Sequence, residues 1–317
     1  MNIGLVDVDN WQKLDKCFPN LPLMKLSAYH KAQGDTVEWH DMYTFYDRVY
    51  MSKVFSFTKD YPLPVSALKV FRGGSGYCIS TVDGHEQYDT SQDSCLPDHI
   101  EHIMPDYSLY GITDTAYGFM SRGCPRGCSF CHVKDKEGLI SRKVADLSEF
   151  WNGQKNIQLL DPNTLACRDW KDILQQLINS KAYVDFNQGV DIRLMTEEKA
   201  DMISQVRLKK IHFAYDRYQD RDIIEPKFRI FSQMHGMGRH NVLVFVLCNY
   251  DTTLEQDLHR IQFLRSVNFQ PYVMLYNKSA LPRGHIMYKL SRWCNMPILF
   301  WKYQTFDEYV AHEKETH

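Results

Sequence analysis

No uninterrupted apolar run in this 317-residue chain reaches the roughly 20 residues that cross a bilayer as a helix. The opening stretch MNIGLVDVDNWQK lacks the basic region, long apolar core and small-residue cleavage site of a secretion signal. The expectation is a cytoplasmic protein with no membrane partner. An excess of one charge is also missing. Lys and Arg total 37, Asp and Glu 39, and the formal net charge is -2, so nucleic acid is not expected as a partner. The nine cysteines are odd in number, and six of them, Cys17, Cys78, Cys95, Cys167, Cys248 and Cys294, are scattered without pairing rhythm. That argues against a secreted disulfide framework and for buried small apolar side chains. A second C-x2-C or an H-x3-H pair is absent as well, which leaves a closed zinc site without its second pair of ligands.

The composition that remains, 44% apolar and 24% charged, is that of an ordinary globular protein, and the length has room for one barrel-sized domain and one smaller one. MNIGLVDVD reads as a strand, LMKLSAYHKAQGD as a helix and RVYMSKVFSF as a second strand, with Val54 and Phe57 among its apolar positions. This is a parallel strand-helix-strand unit. The stretch from Arg72 to Asp106, rich in Gly, Pro, Asp and Ser, reads as its edge and linker. The division therefore runs between residues 1–106, a Rossmann-like α/β domain, and 107–317.

From Tyr117 onward six strand candidates recur: AYGFMS, NIQLLD, AYVDFN, KIHFAYD, NVLVFVL and PYVMLYN. After a long first interval they are 26 to 31 residues apart, the length of a βα unit. Helical patterns such as DWKDILQQLINS and EEKADMISQV fill the gaps. The pattern predicts a partial, six-stranded TIM-like βα barrel. ILFWKYQTFDEYV near the end predicts a late strand and a helix. In such a barrel, ligands meet the carboxyl ends of the strands, so Asp161, Asn163, Asn187, Gln188, Tyr215, Asp216, Cys248, Asn249, Tyr276 and Asn277 are the polar positions to watch. Asp and Asn also favour turns in their own right. Tyr215 and Tyr276 could stack on a planar ring or donate a hydroxyl. HGMGRHN, before the fifth strand, lies on the opposite face and reads as a solvated turn.

The remaining three cysteines stand together. SRGCPRGCSFCH places Cys124, Cys128 and Cys131 at C-x3-C-x2-C. A redox dithiol would use only Cys128 and Cys131 and leave Cys124 idle. His132, adjacent to Cys131, is badly placed to complete a zinc tetrahedron. Three thiolates in one tight loop suit three corners of a 4Fe-4S cluster and leave one iron open. Gly123, Gly127 and Pro125 favour a loop that wraps a cofactor, and Arg122 and Arg126 could offset its negative charge or simply be solvated.

GCPRGCSFC, after a strand and before βα units, resembles the signature of the radical S-adenosylmethionine enzymes, and Phe130 before the third cysteine fits it. The resemblance covers about Tyr110 to Tyr303. It implies a 4Fe-4S cluster on Cys124, Cys128 and Cys131, with S-adenosylmethionine chelating the fourth iron. It also implies reductive cleavage to a 5′-deoxyadenosyl radical and a flavodoxin- or ferredoxin-type electron donor. LLDPN stands where many members bind the methionine amino group, which makes Asp161, with Asn163 beside it, the candidate there. FNQGVDIR offers Gln188, Asp191 and Arg193 for the methionine carboxylate and ribose. Tyr215, Asp216 and Tyr276 are the candidates for contact with substrate.

The first domain resembles the cobalamin-binding module of some radical enzymes, but DVDNWQK carries no histidine in the loop after the first strand. The nearest D-x-H, Asp83-Gly84-His85, lies far downstream, so a histidine-ligated cobalamin is not expected. With no cobalt ligand and no second cysteine cluster, the expected reaction is hydrogen abstraction from a small, planar heterocyclic substrate, followed by cleavage or rearrangement. Queuine lyase is one candidate. A cobalamin-dependent methyltransferase and an iron-sulfur redox sensor without catalysis are the alternatives.

Overall fold

A computed structural model of the chain describes residues 1–13, 18–82, 85–234 and 236–315. It forms two compact units, one of residues 1–140 with 144–157 and the other of residues 141–143 with 158–317.

The first unit begins with β1 (Asn2–Asp7), α1 (Leu21–Ala32), β2 (Thr36–Trp39), β3 (Tyr46–Ser52) and β4 (Ala67–Gly73). These strands form a parallel sheet in the order β2-β1-β3-β4. β1 is central and apolar on both faces, as an inner parallel strand requires. Ile3 and Leu5 pack with Leu23 and Leu26 of α1 on one side, and Val6 packs with Tyr46, Val49 and Met51 on the other. The Asn20 side chain caps α1 by accepting from the Leu23 amide, which explains why the helix starts just before its apolar spacing. The expected second strand is in fact the third, because the short β2 intervenes. That strand also stops at Ser52: Val54 and Phe57 lie beyond it and are exposed. After β4 come α2 (Ser75–Cys78), β5 (Ile79–Val82), β6 (His85–Tyr88), α3 (Asp98–Glu101), β7 (Thr115–Gly118), β8 (Ser121–Arg122) and α4 (Val133–Glu137).

The chain continues through β9 (Arg142–Lys143), β10 (Asn156–Leu159), α5 (Trp170–Ser180), β11 (Tyr183–Val190), α6 (Glu197–Gln205), β12 (Leu208–Ala214), α7 (Arg221–Ser232), β13 (Val242–Cys248), α8 (Leu254–Ser266) and β14 (Gln270–Leu275). A six-stranded parallel sheet has the order β14-β13-β12-β11-β10-β7. The six apolar runs anticipated from the sequence are its six strands, and each neighbours its predecessor in the sheet. α9 (Ile286–Asn295), α10 (Pro297–Lys302) and α11 (Phe306–Glu315) close the chain. The late strand anticipated in ILFWKYQTFDEYV is absent, because that segment is helical. Phe300 of α10 and Phe306 and Tyr309 of α11 are buried, and Phe300 and Phe306 pack on Trp293. That aromatic core selects helix over the strand propensity of the run. No helix among the described residues is long and apolar enough to cross a membrane.

The second unit holds a buried cation at the carboxyl ends of two of its strands. Arg260 of α8 is fully buried. Its Nη1 donates to the carbonyls of Tyr215 at 2.5 Å and Asp216 at 2.7 Å. Its Nη2 donates to the Leu247 carbonyl at 2.8 Å and to Asp257 Oδ1 at 2.5 Å. One guanidinium thus ties the ends of β12 and β13 to α8. Truncating it leaves Asp257 buried without its counter-charge, so Arg260→Ala should lower the unfolding free energy by about 3–5 kcal/mol, read from urea denaturation. A change within the range of ordinary surface substitutions would show that the clamp is dispensable.

Candidate functional site

The cysteine loop belongs to the first unit and is built around Gly123. That glycine has φ +91°, and a Cβ there would lie 2.2 Å from the Ile140 carbonyl oxygen, so no other residue fits without moving backbone. Its amide donates to Glu137 Oε2 at 3.0 Å, and the Cys124 amide donates to the Gly138 carbonyl at 3.1 Å. The amide of Cys131 donates to the carbonyl of Cys128 at 3.1 Å, which folds the second half of the motif into a tight turn. Cys124, Cys128 and Cys131 are all half-buried, and no disulfide joins them.

Arg122 is ion-paired with protein carboxylates, not simply solvated. It stacks on Phe119 at 3.9 Å and pairs with Glu137 at 3.2 Å and Glu101 at 3.4 Å, while Glu101 also holds Lys25 of α1 at 2.9 Å. This charge chain braces the entrance of the loop against α1 and α3. His132 Nε2 lies 3.2 Å from Glu86 Oε2.

Among the described residues no three His, Cys, Asp or Glu side chains converge on one point that could hold a single metal ion. The fit to an iron-sulfur group rests on donor chemistry: three thiols from one glycine-hinged loop, half-buried and held by their own backbone. The residues are of the right kind for a three-thiolate corner set. Phe130, half-buried, lies within the loop. Of the D-x-H match, Asp83 and Gly84 lie outside the described residues, as do Cys17 and His235 of HGMGRHN.

In the second unit the polar residues expected at strand ends fall into three groups. Asp161 and Asn163 are buried in the turn after β10. Thr164 Oγ1 donates to Asp161 Oδ2 at 3.4 Å, and Ser141 Oγ donates to the Asn163 carbonyl at 3.3 Å.

Gln188 lies inside β11 instead of after it, on an irregular stretch where the pairing with β12 shifts register between Phe186 and Val190. Gly189, at φ +114°, makes that bulge possible, and Gln188 is exposed on it. Asp191 then caps the next turn. It accepts from the Arg193 amide at 3.1 Å and from Arg193 Nε at 2.8 Å, while Arg193 Nη1 donates to Asp220 at 2.7 Å. Two of the guanidinium's nitrogens are therefore already committed to protein carboxylates.

The last group lies at the ends of β12, β13 and β14. Tyr215 is fully buried, donates to Glu225 Oε1 at 2.9 Å and packs near Phe228 and Phe263. It faces the helix layer and the core, where the sequence had anticipated a ligand-facing ring. Cys248 is buried too, and burial pushes its thiol well above the usual range. Tyr276 is half-buried with its ring 4.7 Å from that of Tyr250 in an edge-on pair.

Asp216 lies beside the Arg260 clamp, its carbonyl accepting from Arg260 Nη1. Burial raises its carboxyl to about 6, against the lowering effects of the Leu247 amide, Arg260 and Arg193. Leu247 N donates to Asp216 Oδ1 at 3.2 Å. A carboxyl near 6 can hold or release a proton close to neutral pH.

A row of side chains on the sheet face away from α7 escaped the sequence reading. Gln158 Nε2 donates to Asp185 Oδ2 at 3.4 Å, and Asp185 Oδ1 lies 3.4 Å from His212 Nδ1. His212 Nδ1 is also 2.8 Å from the Phe186 carbonyl. A carbonyl only accepts, so Nδ1 carries a proton and donates it to that bond, which leaves Nε2 free of this contact. The His212 ring stacks on Phe245 at 5.4 Å, and Phe245 meets Tyr272 edge-on at 5.9 Å. Phe213, the next residue along β12, points the other way, into Phe228 and Phe231 of α7. Period-two alternation in KIHFAYD marks His212 as off the helix-packed face, which is the one signal that could have found it.

Asp216 generates a pH test. Its carboxyl is held above its ordinary value of 3.8 in the folded protein, so the folded state binds the proton more tightly than the unfolded chain. This contribution is complete below pH about 4 and is lost as pH rises towards about 6. Wild-type protein should therefore lose unfolding free energy relative to Asp216→Asn across that window in urea titrations; parallel pH profiles would refute the burial argument. The protein matches no family model and no curated protein.

Proposed function

We propose that this protein is a radical S-adenosylmethionine enzyme acting on a small, planar heterocyclic substrate. The observation that carries the reading is the Cys124, Cys128, Cys131 loop, hinged at a glycine that admits no side chain and followed in the chain by successive parallel βα units. We read the six-stranded sheet as a partial barrel. All its strands are parallel and neighbour one another in chain order, whereas a doubly wound sheet reverses its order at a switch point.

A 4Fe-4S cluster on the three thiolates, with S-adenosylmethionine bound, would supply the 5′-deoxyadenosyl radical after one electron from a flavodoxin- or ferredoxin-type donor. Asp161, Asn163, Gln188 and Asp191 are the polar groups assigned to S-adenosylmethionine. Arg193, held by Asp191 and Asp220, keeps only part of its fork for an anionic group. Phe245, Tyr272 and the His212 imidazole offer stacking surface and one further hydrogen-bonding nitrogen, a combination suited to a flat heterocyclic ring. Asp216, with its carboxyl near 6, is the group to take or give a proton as the substrate radical resolves. Lyase or isomerase chemistry fits better than methyl transfer, because the loop after β1 supplies no histidine for cobalt.

The test is anaerobic reconstitution with iron and sulfide, followed by incubation with S-adenosylmethionine and a strong one-electron reductant. About four irons per chain and formation of 5′-deoxyadenosine are expected, and single Cys124→Ala, Cys128→Ala and Cys131→Ala variants should lose both. Stoichiometric cluster without any 5′-deoxyadenosine would favour a redox sensor, and zinc without iron would end the proposal. His212→Ala should leave cluster content unchanged and uncoupled cleavage of S-adenosylmethionine intact while lowering turnover of the true substrate.

A further inference from the structure

The sheet of the first unit has a feature that the radical chemistry does not use. From β1 the chain passes to β2 on one side and then to β3 on the other, so the strand order reverses beside β1. In open parallel sheets the carboxyl ends at such a reversal part to leave a crevice. Here a cavity of about 140 Å³ lies at the end of β1, lined by Asp7, Trp11, Trp39, His40, Tyr61 and Leu63.

Its chemistry is unusual for an interior. Asp7 is 1% exposed. Its carboxylate accepts from Tyr110 Oη at 2.8 Å and from Asn10 Nδ2 at 3.2 and 3.3 Å, yet among the described residues no cation pairs with it. Burial accordingly pushes its pKa up in spite of those hydrogen bonds. Three aromatic side chains share the cavity with it. Trp11 and Tyr61 meet edge-on at 5.5 Å, and Trp39 is buttressed from behind by Tyr110 at 5.1 Å.

The Tyr61 hydroxyl and His40 Nδ1 are 2.9 Å apart, while the buried His40 Nε2 has no hydrogen-bond partner among the described residues. Burial lowers the His40 pKa, so the ring is neutral near pH 7 and does not serve as the missing counter-charge. Among the described residues the cavity thus contains a carboxylate without a cation, an imidazole nitrogen without a hydrogen-bond partner, and aromatic walls.

We propose that this crevice binds a small planar organic cation, one ring in size and bearing N-H donors. Asp7 supplies the counter-charge, Trp11, Trp39 and Tyr61 supply the walls, and His40 Nε2 is a second hydrogen-bonding group. A cation would relieve the cost of a buried lone carboxylate and would be attracted by the faces of the aromatic rings. The volume is close to the roughly 150 Å³ that accommodates a single benzene ring. The inference stands on the first unit alone and holds whether or not the radical reading does.

Benzamidine, one ring with an amidinium, is the probe, and benzamide is its neutral counterpart. Titrated into the full chain at neutral pH and followed by calorimetry and tryptophan fluorescence, benzamidine should bind saturably and benzamide at least about tenfold more weakly. Asp7→Asn should weaken benzamidine by a similar factor and abolish the preference for the charged probe. Trp11→Leu should weaken binding while leaving that preference in place, and it keeps the question open to test if Asp7→Asn fails to fold. Equal affinity for the two probes, no saturable binding to wild type, or unchanged binding in a folded Asp7→Asn would each overturn the proposal.

Discussion

Parallel pairing is the constraint on which both units of this protein depend. When every strand runs the same way, all the carboxyl ends of a sheet lie along one edge, and the chain must turn there after each strand. The interior of such a sheet is dry on both faces, so polar side chains have few places to go other than that edge. Asp7 at the end of β1, Asp161 after β10, Asp216 after β12 and Cys248 at the end of β13 are all buried or half-buried groups brought to such edges by the same geometry.

Gathering polar groups at a dry edge has an electrostatic cost, and the protein meets it in two different ways. At the ends of β12 and β13 the cost is offset by a fixed cation. Arg260 reaches from α8, donates to three carbonyls and pairs with Asp257. Asp216, next to that clamp, still has its carboxyl lifted to about 6, so the cation tempers the desolvation without cancelling it. A permanent charge that satisfies three carbonyls ties the ends of the two strands to α8. At the end of β1, no cation among the described residues pairs with Asp7. Its carboxylate accepts from the hydroxyl of Tyr110 and from Asn10, and the space beside it is cavity.

The strands were legible in the sequence because inner parallel strands are short continuous apolar runs, and these six recur at the spacing of βα units. The cysteine loop was legible because three thiols at fixed offsets are a local feature. Other parts could not be read in that way. The four residues of β2 are half polar and carry too little pattern to distinguish from a turn. Gln188 was displaced from its expected loop by a bulge that depends on Gly189 having a positive φ, a conformation that composition does not announce. DLHR in α8 looks like an ordinary exposed ion pair at helical spacing, and only the packing of that helix on β13 reveals that Asp257 and Arg260 are inside. Tyr215 was placed at the correct strand end but on the wrong face, since the face is decided one residue at a time where the strand gives way to the turn.

His212 and Asp185 illustrate the remaining difficulty, which is one of partners more than of position. Each sits in an apolar strand, and in isolation each reads as an interruption of the pattern. In the sheet they find partners: His212 Nδ1 donates to the Phe186 carbonyl, and the Asp185 carboxylate lies beside the ring and accepts from Gln158. Burial raises the Asp185 pKa, and the nearby imidazole is the largest influence opposing that rise. A stable core would be simpler with Val or Ile at both positions, since parallel strands are built from such residues. Retaining an imidazole stacked on Phe245, with Nδ1 donating to the Phe186 carbonyl, gives this face of the sheet a hydrogen-bonding group that an apolar face lacks. That group distinguishes this face of the sheet from the one packed on α7, where Phe213 meets Phe228 and Phe231.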